Sequence, residues 1–148
     1  MADTAFEVPD PAHLSGKMTV EVFDPEDPNT PVNIIETDDP WYILVKWELD
    51  GIVAPYVGGT FHVRAFLDDA DGVAASSGQV GATQDVPAGP FVLPLPRRYQ
   101  ARIDVAAGAV QPGLYQLVTS INYDNGQKLS LAAFAETGIM QFYVKDDA

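Results

Sequence analysis

The chain has 148 residues, with 21 acidic and 8 basic side chains, a formal net charge of −13 and no cysteine. That length fits one domain with a core large enough to hold without covalent staples. The missing cysteines exclude disulfides, thiolate chemistry and Cys-type metal centres, and the acid excess repels nucleic-acid phosphates and anionic membranes.

Targeting signals are read as absent. Met1–Val8 carries neither a basic region nor an apolar run, so no Sec signal peptide is expected. A membrane helix needs ~20 apolar residues, and the longest apolar run, Leu129–Ala135, is short and holds Ser130. The expectation is a soluble protein, in the cytoplasm or inside an assembled particle. Residues 1–17 read as an N-terminal extension and 18–148 as a single domain.

Along the chain the apolar residues recur with period two, the mark of half-buried strands. Met18–Phe23 places Met18, Val20 and Val22 on one side. Trp41–Leu49 places Trp41, Ile43, Val45, Trp47 and Leu49 on one face, with Lys46 and Glu48 on the other. In Phe61–Leu67 the inward set is Phe61, Val63, Ala65 and Leu67. In Tyr99–Val105 it is Tyr99, Ala101, Ile103 and Val105, with Arg98, Arg102 and Asp104 outward. Leu114–Tyr123 follows, with Tyr115, Leu117, Thr119, Ile121 and Tyr123 together. Asp124-Asn125-Gly126 is a hairpin turn, since Asn and Gly accept positive φ. A return strand over about Lys128–Glu136 and a second turn at Thr137-Gly138 lead to Ile139–Val144. Breakers separate these runs at Asp24–Pro31, Asp38–Pro40, Gly58-Gly59, Gly72 and Pro87–Pro96. The nearest approach to a helical stripe, Ala101–Val110, is cut by Gly108 and Pro112. The pattern predicts an all-β, antiparallel sandwich of seven to nine strands.

Pro112-Gly113-Leu114-Tyr115, followed by an alternating strand and a hairpin, resembles the late strands of immunoglobulin-like modules. There a Gly-x-Tyr step precedes the penultimate strand and its tyrosine caps a corner. Trp47, in Val45–Gly51, is similar to the buried tryptophan of their early core strand. The resemblance spans residues 18–145 at the level of the fold, without the disulfide cysteines of antibody domains. It implies an immunoglobulin-like sandwich and a leaning toward binding or structural roles.

Several residues are candidates for a site. Asp68, Asp69 and Asp71 could serve calcium, which takes several oxygen ligands. Asp24, Glu26, Asp27, Asp38 and Asp39 could join them from other loops. The spacing is not that of an EF-hand, and an acidic turn accounts for the same residues. Tyr42 and Tyr56, near loop ends, are candidates for a sugar-binding platform, while Trp41 and Trp47 read as core. No catalytic constellation is read: His13 and His62 lack a nucleophile motif. The turn carboxylates lack an apolar pocket to raise one pKa, and Val57–Thr60 lacks the lysine of a phosphate loop. Arg97, Arg98 and Arg102 gather three of the eight basic residues within six positions. They follow the apolar, proline-rich Phe91–Pro96, which reads either as a docking segment or as a loop crossing between sheets. Phe91, Leu93, Leu95, Arg97, Arg98 and Arg102 are therefore the candidate partner-binding residues, with the acidic loops as their complement. The expected function is a non-enzymatic structural or protein-interaction module. Its partner would be itself or another protein, as in an oligomer, virion, filament or secreted particle. Carbohydrate or calcium binding is the alternative, and no other cofactor is expected.

Overall fold

In the computed structural model, which describes residues 4–8, 13–70, 78–89, 95–124 and 132–144, the period-two runs form two packed sheets. The strands are β1 (Thr4–Ala5), β2 (Ser15–Phe23), β3 (Ile34–Glu36), β4 (Trp41–Asp50), β5 (Thr60–Asp69), β6 (Gly78–Pro87), β7 (Arg97–Val105), β8 (Gly113–Asp124) and β9 (Ala132–Tyr143). A 3-10 turn spans Ala54–Tyr56. One sheet has the order β1-β2-β4-β7 and the other β3-β9-β8-β5-β6. Neighbours run antiparallel except β3, which lies parallel to β9.

Alternation decides what fills the space between the sheets. From the four-stranded sheet Met18, Val20, Val22, Ile43, Val45, Trp47, Leu49, Ala101, Ile103 and Val105 turn inward, and all are buried. Phe61, Val63, Ala65, Leu67, Tyr115, Leu117, Ile121, Ala133, Met140 and Phe142 meet them from the five-stranded sheet. Burying each large side chain contributes about 1.5–3 kcal/mol. The Trp47 ring lies edge-on to Phe61 at 5.5 Å and stacks on Tyr99 at 5.7 Å.

The chain crosses between sheets after β2, β3, β4, β6 and β7, giving the immunoglobulin-like sandwich. β5, β8 and β9 stand where that fold has strands C, F and G, and β4 and β7 where it has B and E. Tyr115, near the start of β8, donates its hydroxyl to the Gln111 carbonyl at 2.9 Å. This is the tyrosine corner that the Gly-x-Tyr step implied. Trp47 sits on the B-like strand, whereas antibody domains carry their tryptophan on strand C.

Three elements differ from expectation. The turn at Thr137-Gly138 does not form: β9 continues through it, because Gly138 at φ 68° fits a bulge, with the register slipping opposite Gln116 and Val118. The strand β6 carried no sequence signal, since Val80 is its one buried residue and both its faces are largely wet. The described residues ahead of Met18 join the sandwich: β1 pairs with β2, and Phe6 and Leu14 enter the core.

Candidate functional site: the outer face of the four-stranded sheet

The alternation that sends Met18, Trp47 and Tyr99 inward sends their neighbours outward, and register sets them in rows. Lys17, Glu48 and Arg98 form one row and Thr19, Lys46 and Gln100 the next. Glu21, Leu44 and Arg102 form a third, and Phe23, Tyr42 and Asp104 a fourth. The first two rows line an open depression of about 530 Å³. Lys17 Nζ lies 3.4 Å and Arg98 Nε 3.5 Å from opposite oxygens of Glu48. Lys46 stands one row away. Two cations thus pair with one carboxylate and a third lines the same depression, on a chain whose net charge is −13.

The upper rows are self-contained. Arg102 Nε meets Asp104 Oδ1 at 2.7 Å, and its guanidinium lies 3.8 Å above the Tyr42 ring. That ring stacks on Phe23 at 5.4 Å. Arg102 therefore has its charge balanced locally.

The predicted arginine cluster divides. Arg97 does not reach the surface: its guanidinium donates to the carbonyls of Ala54 at 3.1 Å, Val57 at 2.8 Å and Ala88. Alternation requires this, because Arg98 faces out and Arg97 must then face in. The expected patch loses that member as a partner-binding residue. Tyr99 also donates to the Ala88 carbonyl, at 2.8 Å. Burial raises the Tyr99 pKa above its ordinary 10.0, with Arg97 opposing and Tyr123 adding to the rise. Leu95 packs half-buried against the core on the path from β6 to β7, as a crossing loop does. Phe91 and Leu93 lie outside the described residues.

The two platform tyrosines do not meet. Tyr42 is buried under Arg102 near the start of β4, while Tyr56 is 74% exposed beyond its far end. Asp68 and Asp69 are the last residues of β5 rather than a turn, so their side chains leave on opposite faces. Asp71 lies outside the described residues. Among the described residues no group of three or more His, Cys, Asp or Glu side chains comes together to hold a metal ion. His62 faces outward, as expected, with Nδ1 2.6 Å from Asp85 Oδ1.

Lys17 and Lys46 are the members of the groove that sequence reading missed. Lys46 was placed outward by its strand, but nothing local says that β2 and β7 flank β4. A second outward surface was missed for the same reason. On the five-stranded sheet Ile34, Leu114, Phe134, Ile139 and Tyr143 are exposed.

No protein-family model matches the chain, and no curated protein matches it. Among solved structures it is similar to the CARDB domain of a Pyrococcus furiosus protein, crystallised in complex with di-metal ions. Identity is 12% over 88% of this chain and 96% of that one, with a TM-score of 0.47. It is also similar to part of a β-glucosidase from Listeria innocua in complex with gluconolactone, at 13% identity and a TM-score of 0.46. That match covers 86% of this chain and 17% of the glucosidase. The same enzyme with glucose gives 12% identity, 88% and 17% coverage, and a TM-score of 0.44. Among the described residues no helix is long and apolar enough to cross a membrane.

Proposed function

We propose that the chain is a non-enzymatic protein-interaction module that docks acidic polypeptide surfaces on the outer face of its four-stranded sheet. The observation that supports this reading is the groove of Lys17, Lys46 and Arg98 around Glu48, set in a chain of net charge −13. A strongly acidic surface repels acidic partners at long range, so three cations on one face define where such a partner can settle. Thr19 and Gln100 add hydrogen-bonding groups between the charges. Sheet strands hold these residues at fixed spacing, so little order is lost on binding.

A fluorescent poly-glutamate peptide is the probe. Its anisotropy should rise with added protein and fall back as salt increases. Each exposed ion pair contributes roughly 0.2–1 kcal/mol, so K17Q/K46Q/R98Q together should weaken binding about tenfold. R102Q should change it less, because Arg102 pairs one-to-one with Asp104, whereas Lys17 and Arg98 share the single carboxylate of Glu48. Equal affinity for the wild type and the triple variant would remove the groove from the reading.

A further inference from the structure

The groove sits toward one end of the sandwich, where β2 begins, β4 ends and β7 begins. The described segments of the other end lack such cations. Segments 24–40, 68–70 and 105–112 lie there and carry eight carboxylates with no lysine or arginine. Backbone hydrogen bonds tie parts of this end together: Gly108 donates to the Thr37 carbonyl at 2.7 Å and Thr37 to that of Tyr143 at 2.8 Å. The acid excess is therefore greatest at this end, although the groove end also carries Glu7, Glu48, Asp50, Asp85 and Asp124.

The most prominent acidic segment is Asp24-Pro25-Glu26-Asp27-Pro28, directly after β2. Beyond the half-buried Asp24 it is exposed, and it is already shaped. Glu26 N donates to Asp24 Oδ1 at 3.0 Å, Asn29 N to Asp27 Oδ1 at 3.3 Å, and Asp27 N to the Asp24 carbonyl at 3.0 Å. Prolines 25 and 28 restrict it further. A preformed loop loses little entropy when it is captured. The three carboxylates on this loop are opposite in sign to the groove, whose Lys17, Lys46 and Arg98 outnumber Glu48 by two charges.

We infer that the groove's partner is a second copy of this chain, whose Asp24–Asp27 loop enters between Lys17, Lys46 and Arg98. This rests on the docking reading above and names the partner. Groove and loop occupy different surfaces at opposite ends, so the contact is heterologous: each copy gives one and receives one. Such contacts repeat into rings or filaments rather than closing as a two-fold dimer.

The inference carries a distinctive salt signature. At low salt, where fields reach about 30 Å, the net charges of two copies repel; near 0.1 M they reach only about 10 Å and the local match prevails. Near 1 M the reach falls to about 3 Å and the contact itself is screened. Association therefore peaks at intermediate salt, whereas an apolar interface strengthens steadily with added salt.

Sedimentation velocity on the full chain tests it, at about 100 μM, above the micromolar constants of weak contacts. The wild type should form concentration-dependent oligomers that are most abundant near 0.1 M salt. K17Q/K46Q/R98Q and D24N/E26Q/D27N should each remain monomeric, with circular dichroism confirming the fold. Mixed in equal amounts, the two variants should form dimers and stop there, since one supplies the loop and the other the groove. Wild-type monomers at every salt concentration, or oligomers that survive in either variant, would overturn the inference. Poly-glutamate binding separates the two levels: a monomer that still binds the probe through the groove leaves the docking reading intact and sinks only the self-partner.

Discussion

Arg97 carries its charge into the protein interior and spends it on three backbone carbonyls. Ala54 and Val57 belong to the β4–β5 connection and Ala88 to the β6–β7 crossing, so one side chain clamps two loops onto β7. The planar guanidinium suits this, because it offers several donors in a fixed fork that a lysine ammonium cannot reproduce. We expect Arg97→Lys to leave buried carbonyls unsatisfied at about 1–3 kcal/mol each, with a total near 3 kcal/mol. For a chain of this size that lowers Tm by roughly 10 °C, readable by calorimetry. A change within about 2 °C would mean that solvent or another donor replaces the clamp. Tyr99, beside it, gives a pH-dependent outcome. Its folded pKa lies above the ordinary 10.0 of the unfolded chain, chiefly through burial. Stability from holding that proton is fully present below pH 10 and is lost as pH rises through the raised folded value. Denaturant titrations between pH 8 and 11 should therefore show a steeper alkaline decline for the wild type than for Tyr99→Phe. Parallel declines would assign the loss to other groups.

At the scale of elements, β6 is held against β7 by a close approach at Gly81. That residue has φ 67°, and a Cβ there would collide with the Ile103 side chain and press on the Asp104 carbonyl. Gly81→Ala combines left-handed strain of about 1–2 kcal/mol with a steric clash, so destabilisation of at least about 2 kcal/mol is expected in urea melts. A neutral result would show that β6 can move away from β7 freely. The same strand shows what sequence could reveal. Strands with one wet and one dry face announce themselves by alternation, and β2, β4, β5, β7 and β8 were legible for that reason. β6 is an edge strand wet on both faces, so it has no period to detect. The tyrosine corner was legible because Gly113 and Tyr115 are local to one turn. The groove was not, because Lys17, Lys46 and Arg98 come from three strands joined only by register. The arginine cluster misled for a related reason: residues adjacent in a strand face opposite ways, and proximity in sequence is not proximity on a surface.

For the whole molecule, the distribution of charge matters more than its total. A net −13 spread evenly would destabilise the fold through diffuse self-repulsion, relieved by salt wherever it acts. Instead, carboxylates crowd segments 24–40 and 68–70 without a compensating lysine or arginine, while the cations gather on the sheet face. Raising salt from about 10 to 150 mM shortens the reach of these charges from about 30 to 8 Å, so Tm should rise over that range. If the repulsion is concentrated at the acidic end, D24N/D38N/D39N should flatten the rise. Neutralising Glu7 and Asp50, toward the other end, should leave it nearly unchanged. Differential scanning fluorimetry across a salt series compares the two slopes directly, in dilute samples where association is negligible. Equal flattening by both sets would show that the acidic end is no more strained than the rest of the surface. Unequal flattening in the expected order would mean that the fold keeps its own repulsion at one end, where a second molecule's cations could relieve it.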